Sequence, residues 1–168
     1  MNRQMILARL ILVVGLLLGL TGCGFHLKGY HQATPALAGL YVEQGERRGT
    51  LAGVLQQELS VAGVELAESP AKAVNRVRVT QERFGQRVIS VDANGKALEY
   101  EIRLDARFAV FAADGSQTVP EQALELTRQL ILSDADELGR RNEAALMRLD
   151  MRLDMASQII RRLQAQLK

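Results

Sequence analysis

The sequence predicts an α+β two-layer sandwich, in which a four-stranded, mostly antiparallel sheet carries two helices packed on one face. Three observations predict this fold. Apolar and charged residues alternate over residues 98–108, which is typical of a strand with one buried face. Asn94-Gly95 and Asp114-Gly115 lie on either side of this strand, and such pairs suit short hairpin turns. Towards the end of the chain, apolar residues recur at intervals of three and four, which indicates a long amphipathic helix.

The first 22 residues have the pattern of a signal peptide. Arg3 and Arg9 give a positive start, and the apolar run over residues 10–20 is too short to span a membrane. Leu20-Thr21-Gly22-Cys23 follows as a lipobox, with small residues before the only cysteine. We therefore predict cleavage after residue 22 and lipidation of Cys23, which would tether the protein to a membrane. The alternative is an exported protein with a free thiol, which is a liability in an oxidising compartment.

The mature chain would consist of a lipidated tether, residues 23–36, and a single α+β domain, residues 37–168. The whole chain has 21 Lys and Arg against 19 Asp and Glu, and loss of Arg3 and Arg9 leaves 19 of each sign. A neutral domain has no general field for polyanions, so nucleic acid is excluded as an expected partner.

The domain begins with a short strand and a helix. The apolar run over residues 37–42 predicts the first strand, and a polar loop follows it. Thr50 can cap a helix over residues 51–62, because apolar residues then recur at helical spacing. Gly63 is placed to end that helix in the left-handed conformation.

Three strands joined by hairpins come next. The second strand runs from residue 76 to residue 91, with Gly85 marking a bulge, and the Asn94-Gly95 turn leads into the third. The third strand would bury one face and expose the other, with Leu98, Tyr100, Ile102, Leu104, Ala106, Phe108 and Val110 on the first and Glu99, Glu101, Arg103, Asp105 and Arg107 on the second. Residues 124–130 form the fourth strand, and Pro120 confines its start to an edge or a bulge.

A loop over residues 133–141 separates the sheet from the last helix, for which Asn142 is the predicted cap. The helix would bury one apolar stripe on the sheet, formed by Leu146, Leu149, Leu153, Ala156, Ile160, Leu163 and Leu167 and widened by Met147, Met151, Met155 and Ile159. A coiled-coil seam with a partner is the alternative.

Residues suited to catalysis or metal binding are scarce. The two histidines, His26 and His31, lie beside the anchor, and lipidation would consume Cys23. A zinc cluster and a nucleophilic triad therefore lack their residues. Carboxylates such as Glu99 and Glu101 share one exposed strand face, where they should stay ordinary solvated groups. We expect no metal, no cofactor and no enzymatic activity.

Several motifs resemble the LptE family of lipopolysaccharide-assembly lipoproteins. The segment Cys23-Gly24-Phe25-His26-Leu27-Lys28-Gly29 is similar to the mature N-terminus of that family. Further matches are Asn94-Gly95 followed by Glu99-Tyr100, Thr127-Arg128 in the fourth strand, and Asn142-Glu143 at the last helix. The predicted order of elements is also that of the family.

The resemblance implies a role in lipopolysaccharide export. Family members bind inside, and help assemble, the outer-membrane β-barrel LptD, and they contact lipopolysaccharide. Gly24 after the lipidated cysteine favours the outer membrane. The charged face of the third strand would suit a polar barrel lumen, although it is equally suited to water.

Lipid A carries phosphates, which need convergent Arg or Lys donors. The resemblance favours Lys96, Arg128 and Arg140 as lipopolysaccharide-binding residues, and Arg87 beside the predicted bulge joins them, while Arg83 and Arg141 are further candidates. A rival function is that of a periplasm-facing, ligand-binding lipoprotein that encloses a small apolar cargo. A lipid-anchored hydrolase is a third and weaker alternative.

Overall fold

The computed structural model describes residues 35–43, 50–131 and 137–167, without the side chains of residues 137, 138 and 140. Cys23, the lipobox and the signal peptide lie outside the described residues. The division of the chain into signal peptide, tether and domain therefore stays a prediction.

The described residues form one mixed sheet and two α-helices. The strand order in the sheet is β1-β2-β3-β4, with β1 parallel to β2 and the other pairs antiparallel. This arrangement confirms the predicted α+β fold. The elements in chain order are a 3₁₀ turn Pro35–Leu37, β1 Leu40–Glu43, α1 Leu51–Val61, a 3₁₀ turn Pro70–Lys72, β2 Asn75–Val91, β3 Ala97–Ala112, β4 Gln117–Ile131 and α2 Glu137–Gln166.

The first helix begins and ends close to the predicted residues. The Thr50 hydroxyl accepts a hydrogen bond from the Gly53 amide at 3.4 Å, which satisfies one of the free donors of the first turn. Gly63 follows the helix with φ of 77°, the left-handed conformation that glycine adopts without strain.

The first strand begins later than predicted. Leu37 belongs to the preceding 3₁₀ turn, and β1 starts at Leu40. Gly39 lies between them with φ of 71°, and a β-carbon there would approach Val74 Cγ2 to 3.0 Å. The prediction of a strand from residue 37 was wrong. Leu37 is fully buried although it belongs to the turn, so its apolar side chain extends the apolar run that predicted the strand.

Both predicted hairpins are present and share one geometry. Gly95 donates its amide to the Asp92 carbonyl at 3.0 Å, and Gly115 does the same to Ala112 at 3.0 Å. Only the glycine of each loop has positive φ, 80° at Gly95 and 87° at Gly115. The turns are therefore three-residue loops that end on a left-handed glycine.

The irregular positions of the sheet differ in part from the prediction. Gly85 pairs in register with Arg103, so the predicted bulge at Gly85 was wrong. The register of β2 shifts instead around Thr80 and Ile89. Pro120 does lie at a register shift of the edge strand β4, as predicted, because it has no amide to give to the ladder.

The core lies between the two helices and one face of the sheet. The predicted inner face of β3 is buried from Ile102 to Val110. The helices and the other strands contribute Val42, Leu51, Leu55, Leu59, Val77, Val119, Leu124, Leu130, Met151, Met155, Ile159, Ile160 and Leu163 to the same cluster. The sheet therefore has one face covered by helices and one open face.

The last helix starts earlier than predicted. It includes residues 137–141, which were predicted to be a loop, and Asn142 lies inside it and is not its cap. Gly139 and Asn142 lowered the predicted helicity, but a glycine in a helix costs only about 1 kcal/mol, which the packing of a long helix overcomes.

The predicted apolar stripe of α2 is buried in its C-terminal part and exposed in its N-terminal part. Ala156, Ile160, Leu163 and Leu167 are buried, as are Met151, Met155 and Ile159 beside them. The prediction was wrong for three leucines, because Leu146 is 68%, Leu149 46% and Leu153 36% exposed. The first residue of the shorter α1 lies near the middle of α2, because the Leu51 amide and the Arg152 guanidinium both bind the Glu82 carboxylate. Leu146, Leu149 and Leu153 form an exposed stripe from the N-terminal part to the middle of α2.

The carboxylate that joins these elements belongs to Glu82 of β2. Its Oε2 accepts a hydrogen bond from the Leu51 amide at 2.8 Å, and its Oε1 accepts one from Arg152 Nε at 2.6 Å. The Arg152 guanidinium also lies 4.9 Å from the ring centroid of Phe84. One side chain thus fixes the start of α1 and the middle of α2 on β2, at a site where only 15% of the Glu82 side chain is exposed.

The two halves of the α2 stripe should differ in their contribution to stability. We expect Met155→Ala to lower the free energy of unfolding by roughly 2–5 kcal/mol, because it opens a cavity in the core. Leu146→Ala should change it by less than about 0.5 kcal/mol. Urea denaturation of both variants, followed by circular dichroism, checks the difference, and equal destabilisation would contradict the assigned burial.

Loss of Glu82 should also destabilise the fold. Glu82→Ala leaves the Leu51 amide and the Arg152 guanidinium without their acceptor, so we expect a loss of roughly 1–3 kcal/mol. Glu125→Ala removes an exposed carboxylate and is the matched control, for which we expect little change. The same denaturation experiment compares them, and a Glu82 variant as stable as the control would refute the proposed role of this carboxylate.

Candidate surface for partner and ligand binding

The open face of the sheet carries charged residues from three neighbouring strands. The register places Arg87 opposite Glu101, Arg83 opposite Asp105 and Gln81 opposite Arg107. Glu125 of β4 lies opposite Asp105 on the other side. The charges predicted for the outer face of β3 are therefore part of a larger surface, which we call the open face.

Most charges on the open face are paired across the strands. Arg87 binds Glu101 with two hydrogen bonds of 2.6 and 2.9 Å. Arg103 approaches Asp105 at 2.8 Å and Glu125 at 3.1 Å. Arg87 lowers the pKa of Glu101, chiefly by hydrogen bonding and then by its charge. The lowered pKa keeps the Glu101 carboxylate ionised, which is the opposite of the raised pKa that a general acid needs.

The pairing continues towards the start of β4. Glu121 accepts hydrogen bonds from Thr80 at 2.7 Å and from Arg107 at 3.1 Å. The Thr80 hydroxyl and then the Arg107 guanidinium lower the pKa of Glu121. Because these side chains are exposed to water, which screens their charges, each pair contributes little to the free energy of folding. Their effect is to fix a pattern of charge on a flat surface.

The same surface includes a shallow cleft of about 400 Å³. Its lining is mainly charged and polar, with apolar contributions only from small or partly covered side chains: Gln81, Arg83, Arg103, Asp105, Ala106, Arg107, Ala123, Leu124 and Glu125. This lining does not suit the small apolar cargo of the rival function.

The structure divides the predicted lipopolysaccharide-binding residues between different surfaces. Arg87 lies on the open face, paired with Glu101. Arg128 lies on the opposite, helix-covered side, because it is opposite Ile102 in the ladder, and it pairs with Asp154 of α2. Lys96 lies at the tip of the β2–β3 hairpin. Arg140 is in the first turns of α2, and its side chain is outside the described residues.

The hairpin tip has a second feature that the sequence did not reveal. Val88, Ile89 and Val91 of β2 and Leu98 of β3 are exposed around it, and so is Ile131 at the adjoining end of β4. We call these five residues the hairpin end. Arg148 of α2 reaches Gln86 at 3.3 Å, so the N-terminal half of α2 passes this part of β2. Exposed apolar residues thus occupy the ends of the strands that meet at the turn before Lys96.

Two further observations concern the described residues alone. No group of three or more His, Cys, Asp or Glu side chains is arranged there to hold a metal ion. None of the helices within these ranges is long and apolar enough to cross a membrane.

The chain is similar to characterised lipoproteins in sequence. It is 29% identical over 156 residues to the LPS-assembly lipoprotein LptE of Yersinia enterocolitica, a match that covers 92% of this chain and 74% of the relative. It is 28% identical over 156 residues to the protein of the same name from Photorhabdus laumondii, covering 90% of this chain and 85% of the relative.

Solved structures show the same fold. The solution structure of lipoprotein B from Nitrosomonas europaea matches with a TM-score of 0.66 and 22% identity, over 84% of this chain and 91% of that one. The crystal structure of the rare lipoprotein B from Shewanella oneidensis matches with a TM-score of 0.63 and 17% identity, over 75% of this chain and 93% of that one. At these identities the likeness concerns the fold alone.

The sequence profile of the family described as LptE, Lipopolysaccharide-assembly, matches residues 37–163. This range runs from Leu37 to the last turns of α2, and so it includes the four strands that the structure describes, α1 and most of α2. The resemblance seen in the short motifs is thereby confirmed over most of the chain, and the chain belongs to the LptE family.

Proposed function

We propose that this protein is a lipid-anchored lipoprotein of the outer membrane that acts in lipopolysaccharide assembly, as the plug and assembly partner of the export barrel LptD. Family membership and the names of the relatives support the role in lipopolysaccharide assembly. The lipobox supports the anchor at Cys23, and Gly24 supports the outer membrane. The proposed role is one of binding and does not include catalysis.

The open face is the observation that supports the barrel as the partner. The lumen of a membrane β-barrel is polar, so a protein inside it needs a polar outer surface that tolerates loss of water. Removal of water costs an isolated charge a large free energy, whereas the cost is smaller for a charge that already has a hydrogen-bonded partner. The paired side chains Arg87–Glu101 and Arg103–Glu125 are such groups. We infer that the open face contacts the barrel wall.

The hairpin end supports the contact with lipopolysaccharide. An amphiphile with phosphates and acyl chains needs a cation beside apolar surface, and Lys96 lies among exposed Val91 and Leu98. Arg140 is proposed as the second donor, from the first turns of α2. Arg87 and Arg128 are proposed as weaker donors, because each would have to exchange a carboxylate for a phosphate.

Copurification tests the proposed partner. We expect the tagged, lipidated protein to be recovered from membranes in a mild detergent with a stoichiometric amount of LptD. Arg103→Glu places a third carboxylate between Asp105 and Glu125, so it should reduce recovery of the barrel by about tenfold.

Arg161→Glu is the control, because it makes the same charge change at an exposed position of α2. Circular dichroism of both variants checks that the fold is kept. Full recovery of LptD with folded Arg103→Glu, or a wild-type protein that is recovered as a monomer with a small-molecule cargo, would contradict the proposal.

Charge reversal tests the proposed lipopolysaccharide site. The double variant Lys96→Glu with Arg140→Glu should weaken binding to purified lipopolysaccharide by about tenfold, since two donors for phosphate become acceptors. The double variant Lys72→Glu with Arg161→Glu has the same change in net charge, and it should bind like the wild type. Equal affinity of the two double variants in a pull-down would show that Lys96 and Arg140 do not recognise phosphate.

A further inference from the structure

Strand β2 has a long free edge. β2 runs from Asn75 to Val91, but β1 pairs only with its first four residues, Asn75 to Arg78. In the described ranges of the chain, no strand pairs with β2 beyond Arg78 on the side away from β3. Within the described residues, most of this strand therefore has a neighbouring strand only on the β3 side.

The chemistry of this edge suits an additional strand. In an antiparallel ladder, every second residue points its amide and carbonyl away from the partner, so these groups of β2 face the free side. Edges are commonly protected by proline, lysine or bulges. Residues 79–91 contain neither proline nor lysine, and β2 pairs regularly from Gln81 to Val88, between its register shifts. Val88, Ile89 and Val91 are exposed there, and their β-branched side chains favour a pleated neighbour.

The part of the edge that β1 occupies shows how a neighbour is recognised. Glu43 of β1 lies directly opposite Arg78 of β2. The Glu43 carboxylate accepts two hydrogen bonds from Arg78, of 2.5 Å to Nε and 3.2 Å to Nη2. The strand that pairs here thus contributes both a backbone ladder and a carboxylate for an arginine of β2.

Arg83 is the next arginine along β2, and the described part of the chain does not match its charge. Its direct neighbour across the ladder is Asp105, but Asp105 accepts its hydrogen bond from Arg103 at 2.9 Å. Among the described residues, no carboxylate lies within ion-pair distance of Arg83. The exposed guanidinium stands beside the free edge, on the open face.

We propose that the free edge of β2, from Arg83 to Val91, receives an extended strand of a partner protein that carries a carboxylate opposite Arg83. That carboxylate would meet Arg83 as Glu43 meets Arg78. A second copy of this chain fits less well, because antiparallel pairing of two such edges around Gly85 sets Arg83 of one copy against Arg87 of the other. The inference stands on the edge itself and does not depend on the barrel being LptD.

Synthetic peptides can test the edge directly. The full-length lipidated protein in detergent is mixed with peptides of about ten alternating Thr and Val residues, which is enough to span the edge. One peptide has a central Glu, a second has a central Lys, and a third is the Glu peptide with N-methylated amides. Amide hydrogen exchange of residues 83–91 is the readout.

We expect the Glu peptide to slow exchange in residues 83–91 several-fold more than the Lys peptide does, and the N-methylated peptide to have no effect. In Arg83→Glu the preference should reverse, so that the Lys peptide protects. Arg161→Glu, with the same charge change on α2, should behave like the wild type. Equal protection by Glu and Lys peptides, protection by the N-methylated peptide, or no protection by any peptide would overturn the proposal.

Discussion

Burial of the last helix on one face of the sheet is the constraint on which the rest of this structure depends. Met151, Met155 and Ile159 of α2 are buried in the core that the helices share with the sheet, and each such side chain contributes about 1.5–3 kcal/mol when it leaves water. Because side chains alternate along a strand, packing of the helices on one face places every second residue of β3 in the core and leaves the others on the open face. Glu82 then holds α1 and α2 at one level on β2.

The open face is a direct consequence of that one-sided packing. Its charges do little for folding, yet they are arranged across three strands so that an arginine meets one or two carboxylates. A surface of this kind can be covered by another polar surface at modest cost, and its fixed pattern of charge can distinguish partners. Among the described residues Arg83 is the exception to the pairing, and it lies where they place no strand on the side of β2 away from β3. A partner that completes the edge and one that covers the face would therefore meet the same side of the molecule.

The local features of the fold could be predicted from the sequence, whereas features set by long-range packing could not. Alternation over β3, the cap at Thr50 and the two glycine turns depend on neighbouring residues, and the structure confirms them. The exposed N-terminal part of the α2 stripe could not be predicted, because the spacing of leucines indicates one helix face and not what packs against each turn of it. The position of Arg128 had a signal in the sequence, because it shares its parity with Leu124 and Leu130. Its pairing with Asp154 needed the packed helix.

The central claim is that the open face is the surface that the barrel covers, and thiol labelling in intact membranes tests it most directly. Cys23 is the only native cysteine, so a cysteine introduced at exposed Thr127 of the open face or at exposed Arg161 of α2 can be followed by itself once Cys23 is acylated. We predict that a charged maleimide labels the residue-127 cysteine much more slowly in membranes than in the isolated protein. For the residue-161 cysteine, the labelling rates in the two preparations should differ less. Equal labelling of residue 127 in both preparations would contradict the account.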